Sequence, residues 1–275
     1  MPATIVLFDI GNTSIKVGLA TPERVMDSYT LRTDAGQTAD SLGLTLLTLM
    51  RHAGLGRGDI AACIASSVVP ALEPLLTEAC QRFLACGLRW VPRDIPVPLH
   101  NAYLHPAEVG ADRLVGAFAA RHYCPNAQSL ISVDFGTATT FDCISGKGAG
   151  AQYLGGLIFP GVHTATAALF MNAAKLPRVN LEVNDSAPIV GRDTATSINH
   201  GIIFGFASMV EGLSARLRAQ LPGPVEIIAT GGFAPAIARV STCFDHVLPS
   251  LLLDGLRQLY VYDTQKNFFP HGDSC

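Results

Sequence analysis

The sequence predicts an α/β fold in two domains, on three observations. Apolar, β-prone runs alternate with helical stripes along the first half of the chain. The length of 275 residues is long for one core and comfortable for two domains of ordinary size. One device also occurs twice, once in each half: an apolar run, an aspartate, a small glycine turn, then a second strand-like run. The copies are Asp9-Ile10-Gly11-Asn12-Thr13 after residues 4–8, and Asp134-Phe135-Gly136-Thr137-Ala138-Thr139-Thr140 after residues 130–133.

Strands are predicted at 5–8, 15–19 and 27–31. A helix follows over about 41–53, because Leu42, Leu46, Leu47 and Met50 fall on one stripe. A strand at 60–65, a helix near 71–83 and a strand at 88–91 continue the alternation. Pro92, Pro96, Pro98, Asn101 and Pro106 mark a loop before Glu108. Another helix is predicted from near 111 to about 122, where Cys124-Pro125-Asn126 breaks the chain. The domain boundary is placed there, giving domains 1–125 and 126–264 and a loose polar tail 265–275. In the second domain a helix is expected from about 194. Its stripe is Ile198, Ile202, Phe206, Met209, Leu213 and Leu217, widened by Ile203 and Val210. A strand at 225–229 runs into Thr230-Gly231-Gly232, a third small turn.

Composition narrows the function. Hydrophobic residues make up 49% and charged ones 15%, which fits a well-buried globular chain rather than a disordered one. A net charge of −3 argues against a nucleic-acid surface as the main activity and favours small molecules or other subunits as partners. The seven cysteines lack any CxxC spacing, so reduced thiols of a cytoplasmic protein are expected, without a zinc site or disulfide framework. No basic leader is evident at the N-terminus. The apolar stretch 201–210 is too short to cross a bilayer and reads as a buried helix.

A carboxylate at a strand end, a turn too small to block an anion and clustered hydroxyl or amide donors suit a metal-bound polyphosphate. In the first block Gly11 admits backbone approach, and Asn12, Thr13 and Ser14 supply donors. Asp9 is a candidate for magnesium, and Lys16 is a secondary candidate for phosphate. A plain hairpin turn explains one such block equally well, but not its recurrence. The chain has neither GxxxxGK[ST] nor GxGxxG opening a helix, so a P-loop or Rossmann site is not supported. Between the blocks, Gly110-Ala111-Asp112-Arg113 opens a helix. There Asp112 is placed to meet a substrate hydroxyl, and Arg113 a carboxylate or phosphoryl group. Spacing alone leaves a first-turn acid and a surface ion pair as the simpler alternative.

These blocks resemble the type III pantothenate kinases, a branch of the superfamily of acetate and sugar kinases, heat-shock ATPases and actin. Besides the two turns and Gly110 to Arg113, the resemblance rests on Ser66-Ser67-Val68-Val69-Pro70, Phe141-Asp142, Gly155-Gly156, Pro160-Gly161, Gly191 with Thr194, and Thr230-Gly231-Gly232. It spans roughly residues 5–260. It implies two ribonuclease-H-like domains with ATP in the cleft between them, and phosphorylation of pantothenate as the first step of coenzyme A biosynthesis. It implies ATP binding by Asp9, Ile10, Gly11, Asn12, Thr13, Ser14, Ile15 and Lys16, and by Thr137 of the second turn. Asp112 becomes the proton acceptor. Tyr103, Gly110, Ala111, Asp112, Arg113 and Thr194 become pantothenate contacts, and Asp134 a ligand for potassium or ammonium. Magnesium would accompany ATP, and the family is dimeric. The rivals are a sugar or short-acid kinase of the same superfamily and a non-catalytic accessory regulator of gene expression.

Overall fold

The computed structural model of the chain describes residues 4–173, 176–184 and 187–268. In chain order the first half runs β1 (Thr4–Ile10), β2 (Ser14–Ala20), β3 (Val25–Arg32), α1 (Ala39–His52), β4 (Ile60–Ser67), α2 (Glu73–Ala79), β5 (Leu88–Val91), β6 (His100–Asn101) and α3 (Ala111–Tyr123). The second half runs β7 (Ser129–Phe135), β8 (Ala138–Ser145), β9 (Gln152–Pro160), α4 (Val162–Asn172), α5 (Thr194–Arg218), β10 (Val225–Gly231), α6 (Ala234–Ala238), β11 (His246–Val247) and α7 (Leu251–Phe268). Contacts group these into two compact units. One comprises the chain up to Pro98, Ala107–Ala119 and the chain from Leu252 on; the other comprises Leu99–Pro106 and Ala120–Leu251.

In the first unit the strand order is β3-β2-β1-β4-β5, with β1 antiparallel to β2 and parallel to β4. The alternation along β1 feeds two cores, one on each face of the sheet. Val6, Phe8 and Ile10 join Leu42, Leu46 and Met50 of α1 and Leu76 of α2. Ile5 and Leu7 join Val115 of α3 and Leu252, Leu253, Leu256 and Leu259 of α7. The helix expected near 71–83 is α only over α2; a 3₁₀ turn precedes it and a π turn, Cys80–Leu84, follows.

The second unit has the order β11-β10-β7-β8-β9-β6. Its run β9-β8-β7-β10-β11 repeats the first sheet in order and in strand direction. Its core joins Ile131, Val133 and Phe141 to Ile203, Phe206 and Val210 of α5 and Ile237 of α6. The predicted α5 stripe is largely taken up there: Ile198 and Phe206 are buried, and Ile202, Met209, Leu213 and Leu217 are half-buried against the same core.

Two expectations change at the C-terminus. Residues 252–264, assigned to the second domain, pack with the first unit, because the leucines of α7 complete its second core. The expected tail is helical as far as Phe268, with the Lys266 ammonium over the Tyr262 ring; residues 269–275 lie outside the described residues. Among the described residues, no helix is long and apolar enough to cross a membrane.

Candidate active site

The first turn joins β1 to β2. Gly11 N–H donates to the Ser14 carbonyl at 3.0 Å, and the Thr33 hydroxyl holds the Gly11 carbonyl at 2.6 Å. Asn12 and Thr13 are exposed at its tip. Asp9 is buried, and its register neighbours are Lys16 on β2 and Ser66 on β4. Lys16 Nζ lies 3.7 Å from Asp9 Oδ2. The Ser66 hydroxyl is fully buried and has no hydrogen-bond partner among the described residues. Hard oxygen donors at a strand end are of the kind that a magnesium ion takes, alongside water and phosphate oxygens.

Asp112 stands in the first turn of α3, on the sheet face that carries Asp9, Lys16 and Ser66. Its Oδ1 accepts the Arg113 backbone N–H at 2.8 Å. Gly110 leaves room for it, since a side-chain carbon there would lie 2.4 Å from that same oxygen and push the carboxylate aside. Burial pushes the Asp112 carboxyl above the ordinary carboxylate value, opposed by the Arg113 backbone N–H and by the Arg113 and Lys16 charges. A partly desolvated carboxylate whose proton affinity is raised in this way is suited to accept a proton.

The second turn joins β7 to β8. Gly136 N–H donates to the Ala138 carbonyl at 3.1 Å. The Thr137 carbonyl accepts from Gly161 N–H at 3.1 Å and from the Thr164 hydroxyl at 2.7 Å, so the start of α4 fixes the turn. Thr137 itself is exposed. Asp134 sits one residue before the end of β7, opposite Thr230 of β10.

Tyr103 packs on Tyr153 with ring centroids 6.4 Å apart, and the buried Tyr153 hydroxyl donates to Asp142 Oδ1 at 2.9 Å. Thr194 is exposed as the first residue of α5, behind the N-cap Asp193, whose Oδ1 accepts Thr196 N–H at 2.8 Å. The structure thus brings Asp9, Gly11, Lys16 and Asp112 into the first unit. Asp134, Thr137, Tyr103 and Thr194 belong to the second.

Sequence reasoning overlooked three supports: Ser66 beside Asp9, Gly161 with Thr164 behind the second turn, and the Tyr153–Asp142 bond behind Tyr103. Ser66 and Gly161 stood in recognisable blocks, but only the sheet register and the start of α4 reveal what they touch.

Two mixed sheets of one topology, each carrying an aspartate and a small turn after its first strand, define a fold of two ribonuclease-H-like domains. Component A of (R)-2-hydroxyglutaryl-CoA dehydratase from Acidaminococcus fermentans shares this fold at a TM-score of 0.50 and 13% identity, covering 97% of this chain and 99% of its own. A ROK family protein from Streptococcus pneumoniae, solved with sucrose, does so at a TM-score of 0.50 and 13% identity, covering 96% and 99%.

The chain belongs to the type III pantothenate kinase family, whose model matches residues 5–216. It is 60% identical to the type III pantothenate kinase of Nitratidesulfovibrio vulgaris (strain DP4) over 97% of this chain and 100% of that one. The Desulfovibrio desulfuricans member is 61% identical over 94% of this chain and 97% of its own. The Lawsonia intracellularis member is 46% identical over 94% and 96%.

Proposed function

We propose that this protein transfers the γ-phosphoryl group of ATP to pantothenate, the first step of coenzyme A biosynthesis. The observation that carries the reading is Asp112 in its Gly110-Ala111-Asp112-Arg113 setting, in a chain that matches family members over their whole length. Phosphoryl transfer asks the protein for placement and charge neutralisation more than for covalent chemistry. The first turn, residues 9–16, binds ATP phosphates through its backbone and Lys16, and Thr137 contributes from the second turn. Asp112 orients the pantothenate hydroxyl and accepts its proton late, as the new bond acidifies it. Arg113 offers its guanidinium to the substrate carboxylate, with Tyr103, Gly110, Ala111 and Thr194 as further contacts.

Asp9 and Ser66 are the residues suited to a magnesium ion arriving with ATP, which neutralises phosphate charge when bound. Asp134, an oxygen donor on a glycine-lined strand end, is the residue we assign to potassium or ammonium. A cytoplasmic location accords with reduced cysteines and a metabolic reaction.

We assign a homodimer to this protein as well. The expected α5 stripe is mostly occupied by its own unit, so the better candidate surface is β9, exposed from Gly156 to Pro160. Ile158 is 69% exposed there and Phe159 39%. A second copy is the occupant that would cover such a strand. Detection of 4'-phosphopantothenate after incubation with ATP, magnesium and pantothenate tests the reaction. Its absence from a folded preparation would refute it.

A further inference from the structure

At the start of β10, opposite the end that carries Gly231, three potential ligands converge. Cys124 follows the last turn of α3, Glu226 lies near the start of β10, and His246 begins β11. Glu226 and Ile228 share a face of β10 by alternation, and Ile228 is the register partner of His246. One ligand atom from each of the three residues lies within 4.8 Å of the other two. His246 Nε2 is 2.9 Å from Glu226 Oε2, and the Cys124 thiol beside them is buried.

We propose that Cys124, Glu226 and His246 form a zinc site with three protein ligands and one open coordination position. Sulfur, imidazole and carboxylate on one centre are the donor set of a borderline-soft ion that accepts tetrahedral geometry. Bonds of about 2.0–2.3 Å place tetrahedral ligands roughly 3.3–3.7 Å apart. The gap therefore closes by about 1 Å, within reach of rotations at Glu226 and His246, whose side chains are 38% and 43% exposed. On binding, the thiol releases its proton to solvent, and the neutral imidazole coordinates through Nε2.

A Glu226–His246 ion pair alone would need neither a buried thiol nor the arginine beside it. Arg121 is 7% exposed and donates Nη1 to the Ala127 and Gly146 carbonyls at 2.9 and 2.8 Å. Its Nε and Nη2 have no partner among the described residues. Burial and the Glu226 carboxylate push the Cys124 thiol above its ordinary value, and the Arg121 charge opposes them. A metal-bound thiolate supplies the nearby acceptor that such a guanidinium lacks. The chain spacing hid the site, because its members come from three separate elements.

The test uses full-length, metal-stripped protein without ATP, titrated with cobalt(II) and then zinc. One cobalt per chain should bind with an intense near-ultraviolet thiolate-to-cobalt band, bleached by one equivalent of zinc. Cys124→Ser and His246→Ala should each abolish the band, while Cys86→Ser and Cys243→Ser, at the two half-buried cysteines, should keep it. His246 is exposed, so His246→Ala should retain the parental melting temperature and serves where Cys124→Ser folds poorly. A cobalt complex without the band, or a band that survives His246→Ala, would overturn the site. The readout is independent of kinase activity.

Discussion

A side-chain carbon on Gly231 would lie 2.2 Å from Oδ1 of Asp134, so the chain leaving β10 packs directly on that carboxylate. Gly231 also has φ +89°, in the left-handed region that favours glycine. Gly231→Ala should therefore cost about 1–2 kcal/mol from backbone strain alone, beyond the clash. We expect a lower melting temperature and at least tenfold lower kcat/KM. Calorimetry and kinetics check both, and a variant with parental values would detach this packing from the site.

Asp112→Asn keeps the shape of the side chain and the Oδ1 acceptor for Arg113 N–H but cannot accept a proton. Turnover should fall by ~10²–10⁴-fold. In the fold, burial raises the Asp112 carboxyl above its unfolded value, so the charged form weakens the fold once pH rises past that raised value. Asp112→Asn should then melt no lower than the parent at neutral pH. For the same reason the acid limb of the parent's kcat profile should sit above the ordinary carboxylate range. Near-parental turnover in this variant would remove Asp112 from the chemistry.

Replacing sodium by potassium at constant ionic strength should raise the rate. Asp134→Ala should erase that difference. Equal rates of the parent in both salts would reject a specific monovalent site.

Ile158→Asp places a charge on the most exposed large hydrophobic residue of β9. Light scattering should show the parent as a dimer and this variant as a monomer of 29.0 kDa. A fully active parental monomer would exclude the dimer.

Much of the architecture was legible because burial leaves a period in the sequence. β5 occupies the four residues expected of it, and β1, β4, α1 and α5 lie within a few residues of their predicted positions. The two turns were legible because each sets a glycine beside an aspartate between two apolar runs. β9 escaped notice: its Gly155-Gly156 interrupts any period, and its later residues face away from the core. The place of α7 escaped as well, because chain order gives no sign that a C-terminal helix returns to the first sheet. Likewise the pairing of Asp9 with Ser66 depends on a parallel register across more than fifty residues, which no local pattern encodes.

Phosphorylation of pantothenate by this protein is open to direct measurement. ADP release coupled to a reporter reaction, with ATP, magnesium and potassium, measures it against glucose, N-acetylglucosamine and acetate. Turnover is expected with pantothenate and with none of the other acceptors, and it should be lost in Asp112→Asn. Turnover of a sugar or acetate in place of pantothenate, or of no acceptor by the folded protein, would contradict the proposed reaction.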